Sequence, residues 1–226
     1  MRAPARDIRL VHEDPRFVIA DKPSGLLVHR GWANDDDTAL FRVRDKVGHH
    51  VYPVHRLDRG TSGALLLARD PDAQRTLNAL FEAGQVEKSY LALVRGVPAA
   101  EGTIDHPIPR AEDGPRVPAV TTFRLLSTSP RERCSLLEAR PQTGRLHQVR
   151  RHLAHLSHPL VGDVNYGRGD INRKYRAEYA LHRLALHAWK LAFDDPWSGT
   201  RLTIQVNLPD DLTVPFATLG LILPSP

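Results

Sequence analysis

Residues 55 to 63 read His-Arg-Leu-Asp-Arg-Gly-Thr-Ser-Gly, and from Gly63 to Ala68 the chain runs Gly-Ala-Leu-Leu-Leu-Ala without a polar side chain. A short apolar run entered through a glycine reads as a strand going into a core, and Val51 to His55 before it reads as another short strand. The nonamer is therefore a polar loop slung between two strands, a place where catalytic groups are disproportionately found. It holds one carboxylate, Asp58, between the guanidinium groups of Arg56 and Arg59. Opposite charges at close range favour the ionised acid. A solvated surface network of arginine and aspartate gives the same local pattern in many proteins, so these residues alone assign no chemistry.

The rest of the chain is rich in short strands. Ile8 to His12 and Phe17 to Ala20 read as a hairpin, followed by a turn at Asp21-Lys22-Pro23-Ser24-Gly25. Thr38 can cap a helix that runs to Lys46 and stops at Gly48, and Asp70-Pro71 can open another that ends near Gly84. Val86 to Val94 has strand period, which puts Lys88 and Tyr90 on one face and Leu91 and Leu93 on the other. Residues 107 to 118 carry many prolines and glycines among charges and read as a loop or insertion. Strands are expected at Val120 to Leu126 and Ser135 to Ala139, a helix at about Arg145 to Leu156, and an irregular loop over 158 to 167. On that helix Leu146, Val149, Leu153 and Leu156 make an apolar stripe, with Gln148, Arg151 and His155 opposite. Residues 181 to 193 fit either period, Gly199 to Val206 reads as a late strand, and Asp210 can cap a last helix. With no βαβ rhythm, the expected fold class is α+β with a mixed, mainly antiparallel sheet, and no linker divides residues 1 to 226.

The formal charge is +5 with twelve histidines uncounted, a balance that suits a polyanionic partner without proving one. A single cysteine, Cys134, excludes an internal disulfide framework and fits a reducing compartment. The N-terminus lacks the apolar core of a secretory signal, and no apolar run nears the roughly 18 residues that span a bilayer. A soluble cytoplasmic protein with no membrane partner is expected.

Three residues invite chemistry on their own. Asp58 can act as a nucleophile or stabilise positive charge in a sugar. Glycoside hydrolysis needs a second carboxylate at a fixed separation, and no other acid has a comparable setting. Tyr90 can stack on a base and move a proton, although a strand tyrosine is commonly core packing. Arg145 follows a glycine and can aim a planar fork at a carboxylate or phosphate, or make a structural ion pair. His152, His155, His158, His182 and His187 have no accompanying acidic ligand or H-E-x-x-H pattern, so no metal site is read there.

Four ordered segments carry a resemblance: Lys22-Pro-Ser-Gly-Leu-Leu-Val-His29, the nonamer His55 to Gly63, Gly144-Arg-Leu-His-Gln-Val-Arg150, and Gly162-Asp163 with Tyr166-Gly167. Together they resemble the RluA-type pseudouridine synthases. The resemblance implies an α+β domain without an N-terminal S4 module, no metal or organic cofactor, and isomerisation of uridine to pseudouridine within RNA. It implies that Asp58 is the catalytic nucleophile, that Tyr90 of Lys88-Ser-Tyr90 lies in the active site, and that Arg145 pairs with Asp58. Arg56 would enter the stack vacated by a flipped uridine, with Arg59 and Lys88 in supporting RNA contacts and Arg150 and Arg151 on phosphates.

Three further segments look most like the TruC-type tRNA pseudouridine(65) synthases: His29-Arg-Gly-Trp32, Val43 to Gly48, and Arg150 to Pro159. A monomer acting on tRNA is the expectation, with ribosomal RNA as the second substrate. Two other readings remain: a non-catalytic RNA-binding domain that keeps the fold, and an unrelated carboxylate hydrolase acting on a glycosidic or N-glycosidic bond.

Overall fold

The computed structural model describes residues 7–30, 37–110 and 114–225. Trp32 and the tip of the 107–118 insertion lie outside them. In chain order the elements open with β1 (Arg9–Glu13), β2 (Phe17–Lys22), α1 (Ala39–Val47), β3 (Tyr52–Pro53), β4 (Ser62–Ala68) and α2 (Pro71–Glu82). Next come β5 (Glu87–Arg95), β6 (Glu101–Asp105), β7 (Ile108–Pro109), β8 (Arg116–Val117), β9 (Val120–Thr128) and β10 (Cys134–Pro141). The chain ends with α3 (Gln148–His155), α4 (Gly169–Tyr179), β11 (Leu186–Asp194), β12 (Arg201–Gln205) and α5 (Asp210–Thr218). Two compact units share these elements: Met1–Glu87 with Lys190–Val206, and Lys88–Trp189 with Asn207–Pro226.

In the first unit β4 is the organising strand, buried at every position. It pairs antiparallel with β2, from Phe17 opposite Ala68 to Lys22 opposite Gly63, and with β3. Its Leu66 joins Phe17, Ile19, Leu77, Leu191, Phe193 and Val206 in one core. Truncating a leucine in such a core costs about 2–5 kcal/mol. Both helices start where the sequence says. Thr38 accepts a hydrogen bond from the Phe41 amide, and Asp70 accepts one from Ala73 at 2.8 Å, each cap being worth about 1 kcal/mol. Gly48 closes α1 at φ 80°, a left-handed conformation that favours glycine.

The second unit is built on β5, β10, β9 and β6, hydrogen-bonded antiparallel in that order. Its sheet is apolar on both faces. Leu91, Leu93, Cys134 and Leu136 pack with Tyr175 of α4 and with Leu212 and Phe216 of α5. Ala92, Val94, Leu137 and Ala139 pack with Val149 and Leu153 of α3. The fold is thus α+β, with mainly antiparallel pairing.

Several expectations need correction. Residues 107 to 118 hold the two-residue ladder of β7 and β8 rather than a bare loop. Helix α3 begins at Gln148, not Arg145, because His147 at the cap position sits at φ 54°, outside the helical region. Leu146 therefore leaves the apolar stripe and is exposed, while Gln148, expected opposite the stripe, is buried. The ambiguous stretch at 181 to 193 becomes strand β11 only from Leu186 on, and that strand is buried on both faces from Leu186 to Trp189, which is why no period stood out. Helix α4 carries little signal in the sequence: only Asn172 and Tyr175 are buried, and Arg168 gives its start no side-chain cap. Asp210 is the first residue of α5, with Pro209 at the cap position.

Candidate active site

Asp58 belongs to the first unit, on a half-exposed loop whose backbone is fixed on both sides. Lys22, the last residue of β2, is fully buried. Its ammonium donates to the carbonyls of Leu26 at 2.7 Å, Pro23 at 2.9 Å and Arg59 at 3.4 Å. Burying an ammonium is costly unless such acceptors surround it. Lys22 thereby binds the turn at residues 23–26 to the acid loop. The same two segments are laced by the Gly25 amide on Arg59 O (2.7 Å), Arg59 Nε on Gly25 O (3.0 Å) and Ser24 Oγ on Gly60 O (2.8 Å). Within the loop the Thr61 amide donates to Asp58 O at 3.0 Å, and Leu57 is buried as an apolar anchor. Arg56 and Arg59 are exposed. His55 serves the scaffold: its Nε2 accepts from the Leu66 amide at 3.0 Å and its ring stacks on Phe81.

Tyr90 and Lys88 stand on β5 of the second unit, both half-buried and on one face as the strand period requires. Burial pushes the Lys88 ammonium below its ordinary range, and its Nζ lies 3.5 Å from the carbonyl of Thr143. Lys88 thus meets the turn that presents Arg145. Tyr90 lies opposite Ala139 of β10 and packs on the α3 side of the sheet.

Arg145 is exposed, three residues ahead of α3, and its Nε donates to Pro118 O at 3.3 Å. The turn around it is held by Gln148, whose Oε1 accepts from the Arg145 amide at 3.0 Å and from Thr143 Oγ1 at 2.7 Å. The Gln148 amide nitrogen donates to Val120 O at 2.8 Å and Thr121 Oγ1 at 3.1 Å.

The expected phosphate contact at Arg150 is not met. Its guanidinium is buried and makes a two-point ion pair with Asp163, Nε to Oδ2 at 2.7 Å and Nη2 to Oδ1 at 2.8 Å. Burial alone would raise the Asp163 carboxyl, but the Arg150 hydrogen bonds and charge, with the Tyr166 and Asn165 amides, hold it below the usual range. Arg151 is half-buried; its Nε donates to Tyr166 Oη at 2.7 Å and its Nη1 to Pro109 O at 3.3 Å. The Gly162-Asp163…Tyr166-Gly167 segment is thus a clamp on α3. Gly162 sits at φ 79°, and a Cβ there would strike the Arg183 carbonyl.

Glu138 on β10 had no signal in the sequence. It is buried, and burial would raise its carboxyl, but hydrogen bonds from Ser89, Arg124 and Arg140 outweigh that and keep it below the ordinary range. Lys22 and Gln148 lie within the family-like segments of the sequence, but their role comes from the distant groups their polar atoms hold. Among the described residues no group of three metal-binding side chains comes together, and no helix is long and apolar enough to cross a membrane.

A strand-held acid loop, a Lys-x-Tyr strand and an arginine turn in this chain order coincide with a family model. The model described as RNA pseudouridylate synthase matches residues 16–155, and the chain belongs to that family. The tRNA pseudouridine synthase C of Vibrio parahaemolyticus serotype O3:K6 is 37% identical over 225 residues, covering 90% of this chain and 92% of its own. The protein of that name from Salmonella typhi is 39% identical over 222 residues, covering 89% and 85%. That from Pectobacterium carotovorum subsp. carotovorum is 40% identical over 222 residues, 88% of this chain but only 59% of the relative. Among solved structures, human RNA pseudouridylate synthase domain containing 4 superposes with a TM-score of 0.79 at 28% identity, covering 96% of this chain and 94% of that one.

Proposed function

We propose that this chain converts one uridine of tRNA to pseudouridine, at position 65 in the acceptor stem, acting as a cytoplasmic monomer. The observation that carries the reading is the half-exposed Asp58, on a loop whose backbone is anchored at the next two residues, Arg59 and Gly60, by Lys22, Ser24 and Gly25. Such a loop keeps a nucleophile fixed while leaving it reachable. The relatives named tRNA pseudouridine synthase C support tRNA as the substrate.

In the reaction the N1–C1′ bond breaks and a C5–C1′ bond forms, while C5 loses a proton and N1 gains one. Atoms balance, and nothing is oxidised or reduced. Asp58 acts on the sugar or on the base as nucleophile or base. Arg145 takes the part of the active-site arginine that the resemblance implies, and Tyr90 handles the proton leaving C5. Arg56 fills the stack when the uridine leaves it, helping to offset a flipping cost of a few kcal/mol. Arg59, Lys88 and Arg151 remain proposed RNA contacts.

Pseudouridine mapping on tRNA and ribosomal RNA, from cells with and without the gene, tests this reading. A carbodiimide-dependent stop lost from the acceptor stem, restored by wild type but not by Asp58→Ala, is the expected result. A stop lost only from ribosomal RNA would keep the chemistry and discard the tRNA substrate. No change at any site would overturn the enzymatic reading in favour of RNA binding alone.

A further inference from the structure

We infer that a one-directional chain of buried hydrogen bonds through Gln148, Thr121 and His152 sets the position of Arg145 and couples it to the seating of the β7–β8 hairpin. The inference rests on the proposed role of Arg145.

Hydrogen-bonding capacity fixes the direction of every link. At the hairpin end, His152 Nε2 lies 2.9 Å from the carbonyl oxygen of His106. A carbonyl only accepts, so Nε2 carries the proton. His152 is fully buried, and burial, with His106 and His155 nearby, favours its neutral form. A neutral imidazole protonated at Nε2 accepts at Nδ1, and there the Thr121 hydroxyl stands at 2.9 Å. Thr121 must spend its only hydrogen on His152. Its oxygen then accepts from the Gln148 amide nitrogen at 3.1 Å, whose second hydrogen goes to Val120 O. The Gln148 oxygen accepts from the Arg145 amide and from Thr143 Oγ1. Turning the Gln148 amide over would set donor against donor at Arg145 and acceptor against acceptor at Val120, so its orientation is fixed. The path from the Arg145 amide to the His106 carbonyl therefore has one polarity and no free rotor, and such chains polarise one another.

Both roots of the hairpin touch this path. His106 receives the last link, and its ring stacks on His155 of α3 with centroids 3.7 Å apart. Arg116 of β8 reaches His106 Nε2 at 3.1 Å and Pro107 O at 2.8 Å. Pro118, just past β8, receives the Arg145 side chain itself, while Arg151 donates to Pro109 of β7. Arg145 is thus held by its backbone at one end of the relay and by its guanidinium at the far root of the hairpin. Shifting the hairpin pulls on both. Thr121, Gln148 and His152 are positioning residues that act through Arg145.

The decisive substitution is Thr121→Val, which keeps the shape and deletes the hydroxyl in mid-relay. We expect kcat for tRNA to fall about tenfold with KM within about twofold, and Thr121→Ser to restore wild-type kcat. If the relay works through Arg145, adding Thr121→Val to Arg145→Lys costs less than about twofold more. Equal losses in both backgrounds, or a Thr121→Ser as impaired as Thr121→Val, would overturn the inference. Gln148→Met removes the same links at similar volume and replaces Thr121→Val should that variant not fold. Amide hydrogen exchange at Arg145 separates this claim from the proposed function, because it needs no RNA and no turnover. Protection in wild type that is lost in Thr121→Val supports the relay, and unchanged protection contradicts it. A wild-type protein that makes no pseudouridine yet behaves this way would sink the functional reading and leave the relay standing.

Discussion

The loop that carries Asp58 and the turn that carries Arg145 are both held from behind by a buried side chain, but by opposite means. Lys22 uses a charge: one ammonium gathers three carbonyls from two segments. Gln148 uses a neutral amide with all four hydrogen-bonding sites filled. Beneath the arginine turn the charge is displaced to Arg150 and Asp163, which clamp α3. A charged anchor is expensive to bury and fails all at once when removed, whereas a neutral relay fails by single links. The acid loop should therefore lose fold and activity together, and the arginine turn should lose activity before it loses fold.

Asp163→Asn removes the carboxylate charge from the buried ion pair with Arg150 and should destabilise the protein by about 3–5 kcal/mol in denaturant titrations. The same pair sets a pH dependence. Since the folded carboxyl sits below its ordinary value of 3.8, the unfolded chain takes up protons first on acidification. The stability contributed is present above that value and is lost as pH falls through and below it. Asp163→Asn should flatten that acid limb.

Lys22→Met comes next: the carbonyls of Pro23, Leu26 and Arg59 lose their shared donor, at about 3 kcal/mol. Product formation should fall with stability, and a variant that stays fully active while less stable would contradict the anchoring of the Asp58 loop by Lys22. The smallest effect belongs to Arg56→Ala, on the exposed side of that loop. It should slow turnover with little change in melting temperature, and unchanged turnover would remove its proposed place in the RNA stack.

Local rules were readable in the sequence wherever the cause was local. The caps at Thr38 and Asp70, the hairpin of β1 and β2, and the period of β5 depend on residues a few positions apart. The location of the acid loop between strands was readable for the same reason. What stayed hidden depends on distant partners. Arg150 looks like a solvent-facing cation until Asp163, thirteen residues on, folds back onto it. Gln148 looks polar and exposed until β9 supplies Val120 and Thr121. Strand β11 concealed its period by burying both faces, and α4 by burying almost none.

The catalytic role of Asp58 is tested by a paired assay of purified wild type and Asp58→Asn on one tRNA transcript, reading pseudouridine formed and RNA affinity from the same preparations. Wild type should give stoichiometric product and Asp58→Asn none detectable, with dissociation constants within about threefold of each other. Product from Asp58→Asn at a rate near wild type would contradict it, because Asp58 would then hold no catalytic role.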